Sequence, residues 1–295
     1  MEETFVEKLA GRKVTLGVTG ESPPFYRYFA EMLGTFILIF IGQASIAAAV
    51  IADAESYGFA VLGWGVGVAL AIYVVGGISG AHINPAVSIA CAASGRMPKR
   101  DLVPYIISQL IGAFLGAAAV FTLWYGPLNL ADPNRTRASV SSIFTCFYPN
   151  PGFYEEFFPT ALGGTGTKLA ELGNVFPIWQ GIAVELLMTF LLVLIVVALS
   201  EKKSSVFTGS FSPFLVGWYV FIACMITAPL TMTCMNPARD LGPRLFALVA
   251  GYGPDLTFPG YRGEFYLFIL PQIVGGVLAV FFYDRLLKPF YRYIK

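Results

Sequence analysis

Apolar residues crowd into six stretches of the chain, 28–52, 59–79, 102–125, 176–199, 211–230 and 265–283. Each is long enough for about 20 residues of helix, the length that crosses about 30 Å of hydrocarbon. The second and fifth stretches are each followed by Asn-Pro-Ala, at 84–86 and 236–238, and by a shorter apolar run that meets a polar break near Ser94-Gly95 or Gly251. Asn is a favoured N-cap and Pro a favoured first helical residue, so each tripeptide predicts a helix start. About ten residues at 1.5 Å each cover about 15 Å, half of the bilayer core. The pattern therefore predicts an all-α integral membrane protein with six transmembrane helices and two re-entrant half-helices.

The pattern also repeats. Glu31-Met32-Leu33-Gly34-Thr35-Phe36 is echoed by Glu185-Leu186-Leu187-Met188-Thr189-Phe190, Gly63-Trp64 by Gly217-Trp218, Asn84 by Asn236, and Gln109-x-x-Gly112 by Gln272-x-x-Gly275. The order is the same in both halves. Three spans per half is an odd number, so the second copy enters the membrane from the opposite face. Such inverted repeats place their functional site near the midplane, where the halves meet. Two half-helices entering from opposite faces meet end to end there, and the non-helical backbone leading into each is tolerated at that depth only where it lines a cavity or is buried in protein. Gly112, Gly116, Gly275 and Gly276 read as close helix-packing positions.

A pore follows from this arrangement. Each Asn caps its own helix through the side-chain oxygen, which leaves the amide NH2 as a donor for a permeant. Two half-helix N-termini together approximate one unit of positive charge, which repels a cation about 4 Å away by about 4 kcal/mol at an effective dielectric near 20. Neutral hydrogen-bonding solutes are expected to pass; protons and metal cations are not.

Composition agrees with a membrane setting: 56% of the 295 residues are hydrophobic and 13% charged, against about 25% charged in soluble domains. The net charge of +1 points to no nucleic-acid partner. Thirteen of the 19 Lys and Arg flank the spans on one side: Lys8, Arg12, Lys13 and Arg27; Arg96, Lys99 and Arg100; Lys202 and Lys203; Arg285, Lys288, Arg292 and Lys295. The positive-inside rule makes that side cytosolic, with both termini on it. The N-terminal stretch lacks the short apolar core of a secretory signal. The expected order is then a cytosolic segment 1–27, a first repeat 28–125 with its half-helix near 85–94, an extracellular loop 126–175, a second repeat 176–287 with its half-helix near 237–247, and a cytosolic tail 288–295. In the loop, Asn134-Arg135-Thr136 is a sequon for N-glycosylation. Of four cysteines only Cys146 falls in that loop, so no disulfide framework is implied.

The motifs resemble those of the aquaporin family, specifically its aquaglyceroporin or glycerol-facilitator branch, over nearly the whole chain: Ala30-Glu31-x-Leu33-Gly34-Thr35-Phe36, Trp64-Gly65-x-Gly67-Val68-Ala69-x-Ala71-Ile72-Tyr73, Ser79-Gly80-Ala81-His82-Ile83-Asn84-Pro85-Ala86-Val87 and Met235-Asn236-Pro237-Ala238-Arg239-Asp240-Leu241-Gly242-Pro243-Arg244. The resemblance implies a homotetramer with one pore per subunit, Asn84 and Asn236 at the pore centre, and no cofactor, metal or catalytic residue. Asp240 followed by the cationic Arg244 resembles the glycerol-conducting branch. Arg239 matches the filter arginine, a donor to solute hydroxyls that repels cations. Glu31 and Glu185 match buried glutamates that support the re-entrant backbone. Counted without gaps, the other filter positions fall on Gly58, Cys224 and Thr233, or on Tyr57 or Phe59 in place of Gly58 if the register slips by one. With Gly58 there the constriction is expected to be wide and tolerant of polyols longer than glycerol. His82, the only histidine, is either pore wall through its carbonyl or a pH gate through its imidazole.

The expected function is a passive channel for glycerol, other small neutral solutes such as polyols and urea, and water. Three rivals remain at this stage. A secondary transporter would need a coupling carboxylate at the midplane beyond the repeated Glu31 and Glu185, an enzyme would need a cluster of His, Asp or Cys at depth, and a junction protein would use the same fold with little transport.

Overall fold

The computed structural model describes residues 22–52, 57–201, 209–259 and 264–293. Lys8, Arg12, Lys13, Lys202, Lys203 and Lys295, invoked above for sidedness, lie outside the described residues. Eight helices build the frame: α1 (Pro24–Ala52), α2 (Tyr57–Ser79), α3 (Pro85–Ala93), α4 (Leu102–Leu123), α5 (Ile178–Leu199), α6 (Ser212–Thr231), α7 (Pro237–Val249) and α8 (Leu270–Phe282). Six helical segments are long and apolar enough to cross a membrane, the sixth being α8 with its flanking turns over Phe265–Tyr291; α3 and α7, at 9 and 13 residues, are not among them. The protein is a multi-pass membrane protein. Its outward faces carry exposed Phe59, Val103, Ile107, Trp179, Ile226 and Val249, an apolar surface that hydrocarbon accommodates and water would not.

The helix limits follow from local chemistry. Gly80, at φ 85°, ends α2, and Met232, at φ 59°, ends α6. The sixth span departs from the continuous 265–283 helix that its apolar run predicts. A 3-10 turn occupies Glu264–Phe268, and the α-helix restarts at Leu270 with Pro271 in its first turn. Proline lacks the N–H that would continue the ladder, so it is accommodated at a helix start. Past Phe282 the chain widens into a π-helical turn, Tyr283–Leu287.

Glycines set how closely the helices approach. A Cβ on Gly112 of α4 would strike the carbonyl of Met32 in α1, and one on Gly275 of α8 would strike the carbonyl of Leu186 in α5. These are matching positions of the two repeats. At the seam between halves, Gly65 of α2 and Gly217 of α6 each leave no room for a Cβ against the other's carbonyl. The halves also interlock, since α3 packs on α8 and α7 on α4. Each half-helix is thus carried by the third long helix of the opposite repeat.

The 126–175 segment is a packed cap rather than a slack linker. Phe144, Phe147, Tyr148, Phe157 and Phe158 are buried in one cluster with Phe246 of α7 and Tyr252. That packing brings Cys146 to the end of α7, a neighbour that its position in the chain does not suggest.

Candidate pore and constriction

Each half-helix begins in the same way. Asn84 caps α3 by accepting from the Ala86 N–H at 2.8 Å, and Asn236 caps α7 by accepting from the N–H groups of Ala238 and Arg239 at 3.0 and 3.3 Å. The side-chain amides then cross between repeats: Asn84 Nδ2 donates to the Met235 carbonyl and Asn236 Nδ2 to the Ile83 carbonyl, both at 2.8 Å. An amide nitrogen has two protons, so one ties the halves together and the second remains for whatever occupies the cavity that both residues line.

The backbone entering each half-helix is strained in matching places. Ala81 and Ile83 have φ of 48° and 44°, Thr233 and Met235 of 49° and 51°, a region that costs residues with a Cβ about 1 kcal/mol or more each. Two buried glutamates hold these turns. Glu31 accepts from the N–H groups of His82 (2.9 Å) and Ile83 (2.7 Å), from Ser79 Oγ (2.6 Å) and from Gln109 Nε2 (2.7 Å). Glu185 accepts from the N–H groups of Cys234 and Met235, both at 3.0 Å, and from Gln272 Nε2 at 2.7 Å. The repeated Glu and Gln of the sequence are therefore two copies of one clamp.

Two cavities run along the seam. The inner one, about 60 Å³, is lined by Asn84, Asn236, His82, Thr233 and Cys234 among others; at about 15 Å³ for each water position, it holds only a few. The outer one, about 420 Å³, opens beneath the cap beside Tyr57, Asn150 and Arg137. Trp64, Cys224 and Arg239 line both and so mark the boundary between them. The Arg239 guanidinium lies over the Trp64 ring, 4.1 Å from its centroid, a cation–π arrangement. The boundary is amphipathic: an indole, a fixed cation and the Cys224 side chain line it, with Thr233 on its inner side.

Gly58 does not belong to this group, which corrects the gap-free count. It sits in the first turn of α2, where a Cβ would meet only Met225, and it lines neither cavity. The aromatic residue at the boundary is Trp64, one helical face further along and inside the very Trp-Gly-x-Gly motif from which the count began. Gly42 lies flat against the indole, where any side chain would collide with it. Tyr57 lines the outer cavity and donates to the Cys224 carbonyl at 2.7 Å, whereas Phe59 is exposed on the outside. An indole at the boundary also removes the physical basis for a wide constriction.

Asp240 and Arg244 form a buried pair, Arg244 Nε to Oδ2 at 2.8 Å and Nη2 to Oδ1 at 2.7 Å. The pair reaches into the cap: Asp240 Oδ1 accepts from the Cys146 N–H, and Arg244 donates to the carbonyls of Cys146 and Thr257. A buried pair with these extra bonds has its remaining donors and acceptors satisfied. His82 is buried at the inner cavity, with Nδ1 3.1 Å from Ser88 Oγ and its ring edge-on to Tyr105. Asn134 is exposed, on the turn that follows Asp132.

Comparison with known proteins agrees in fold and sequence. The pattern of the major intrinsic protein family matches residues 21–283. The glycerol uptake facilitator protein of Escherichia coli strain K12 is 37% identical, covering 88% of this chain and 86% of the relative. The propanediol uptake facilitator PduF of Salmonella typhimurium is 35% identical, covering 85% and 88%. The crystallographic aquaglyceroporin of Plasmodium falciparum superposes with a TM-score of 0.76 over 92% of this chain and all of its own, at 24% identity, a likeness of fold. On these grounds the chain belongs to the major intrinsic protein family.

Proposed function

We propose that the protein is a passive channel for glycerol and other small neutral solutes, with water passing by the same route and protons and ions refused. The observation that carries this reading is the meeting of two Asn-capped half-helices on one cavity whose outer boundary is formed by the Trp64 indole and the Arg239 guanidinium that lies over it. A polyol has a hydroxyl edge and a hydrocarbon edge. The guanidinium suits the first and the indole the second, while the paired helix N-termini oppose a cation. Strained backbone turns lying along the cavity supply carbonyl acceptors, and the glutamate clamps occupy the N–H groups that would otherwise compete for them. The relatives named as uptake facilitators for glycerol and for propanediol fit this substrate class.

The finer assignments follow the same reading: four subunits with a pore in each, both termini in the cytosol, the cap outside the cell, a glycan on Asn134 in a host that glycosylates, and His82 as wall rather than gate. Asp240 and Arg244 fit the glycerol branch by fixing the cap onto α7. Stopped-flow light scattering on proteoliposomes tests the main claim. Glycerol is expected to enter far faster than into empty liposomes, in either direction and without an ion gradient. Entry that required a gradient would favour a transporter.

A further inference from the structure

Arg239 needs something to hold it, because a guanidinium on a flexible stem can swing into the lumen and obstruct it. Its contacts are unusual. One face rests on Trp64, and Nη1 donates to the sulfur of Cys146 at 2.8 Å. Cys146 lies 93 positions away in the cap, yet its backbone is fixed on both sides, the N–H by Asp240 at 2.8 Å and the carbonyl by Arg244 at 2.8 Å. The sulfur is fully buried and lines neither cavity. It therefore acts from behind the guanidinium and does not touch the solute.

We propose that Cys146 is a positioning residue of the constriction, a neutral anchor that holds Arg239 against Trp64 without cancelling its charge; the role in transport rests on the channel reading above. The chemistry of the group favours such a task. Burial pushes the Cys146 thiol well above its ordinary value, the adjoining Cys234 thiol adds to the rise, and Arg239 opposes it. The thiol is accordingly uncharged, and sulfur is a weak acceptor. A carboxylate or thiolate in the same place would anchor the arginine more firmly but neutralise the fixed charge that opposes cations. The Asp240–Arg244 pair thus gains a concrete purpose: it sets the height of the Cys146 sulfur behind the filter arginine.

The test compares Cys146→Ala with Cys146→Ser in full-length protein. Serine retains an uncharged acceptor on the same stem; alanine does not. Glycerol flux through Cys146→Ala is expected to fall about fivefold relative to water flux through the same protein, while Cys146→Ser keeps the parental glycerol-to-water ratio. A second readout does not depend on transport. With Trp124, Trp179 and Trp218 replaced by Phe, the emission of Trp64 reports its contact with the guanidinium, and it is expected to change in the alanine variant and return in the serine variant. An unchanged Trp64 spectrum in Cys146→Ala overturns the positioning role, as do equal losses in the alanine and serine variants. A parent that conducts no glycerol, with the emission pattern as expected, instead sinks the channel reading and leaves the anchor standing.

Discussion

The two repeats share a scaffold but not its chemistry. In both, a glutamate and a glutamine clamp a strained turn, an Asn caps the half-helix that follows, and its amide crosses to the other repeat. Position by position from the capping Asn, however, Arg239 stands where the first repeat has Val87, Asp240 where it has Ser88, Thr233 where it has Ala81, and Cys234 where it has His82. Ser88 turns inward to Gln109 and His82, whereas Asp240 reaches out to the cap. The scaffold is therefore built twice, whereas the buried cation Arg239 and its contacts with the cap occur once, on the second half, and meet Trp64 of the first. Substitutions in the clamps are expected to destroy the fold, and those at the constriction, Trp64 included, to change what passes.

The largest effect is expected from the clamps. Glu31→Gln or Glu185→Gln turns an NH2 toward backbone N–H donors that have no water to fall back on, and orphaning two or three of them costs about 5 kcal/mol. Either variant should lose most of its thermal stability in detergent, followed by intrinsic fluorescence, and the two losses should be alike. A Glu185 variant that melted with the parent while the Glu31 variant collapsed would break the equivalence of the halves.

Arg239→Val comes next, since it makes the second half copy the first. Stability is expected to hold, while proton entry monitored with an internal pH dye rises by about tenfold or more and glycerol flux stays within about threefold. The dipoles of α3 and α7 remain, so the leak is expected to stay far below that of an open pore. Unaltered proton tightness would place the excluding charge elsewhere.

Smaller changes are expected at the apolar wall. Trp64→Ala should admit a five-carbon polyol more readily, improving it against glycerol by about three- to tenfold, the range that loss of a close apolar wall gives. Gly58→Trp should leave the ratio unchanged within about twofold, because position 58 faces Met225 and not the cavity. The opposite ordering in a solute panel would restore Gly58 to the constriction.

The smallest effect concerns the thiols. A mercurial added from the cap side is expected to slow flux through Cys224, which lines both cavities, and Cys234, which lines the inner one. Cys91 packs away from the lumen among Val193, Val197 and Ala279. The double replacement Cys224→Ser with Cys234→Ser should abolish most of the sensitivity; full retention would mean that neither thiol is reached from the lumen.

Much of this was legible in the chain because the scaffold is written locally and twice. Apolar length marks the spans, Asn-Pro marks a helix start, and the same order of Glu, Trp, Asn and Gln motifs in both halves marks the repeat. The clamps were foreshadowed by Glu31 and Glu185, since a carboxylate recurring within an apolar span needs a buried partner. The constriction is less legible. A gap-free count along one helix leads to Gly58, whereas what faces a cavity depends on helix rotation; the better signal is Trp64 itself, the one bulky aromatic within a run of small residues. Cys146 carried no local sign, because its partnership with Arg239 is made by the fold of the cap. The crossing of the Asn84 and Asn236 amides is likewise a contact between halves that no single segment encodes.

The most direct test of the division between shared scaffold and single filter is the proton-to-glycerol permeability ratio of Arg239→Val beside that of Val87→Arg in proteoliposomes. The expected result is that the ratio rises sharply in the first and does not fall in the second, whose glycerol flux drops instead because a bulky charge has been placed in the inner cavity, which Val87 lines, without an indole or a cap sulfur to seat it. Equal and opposite changes in the two variants would contradict it, showing that either half can carry the filter.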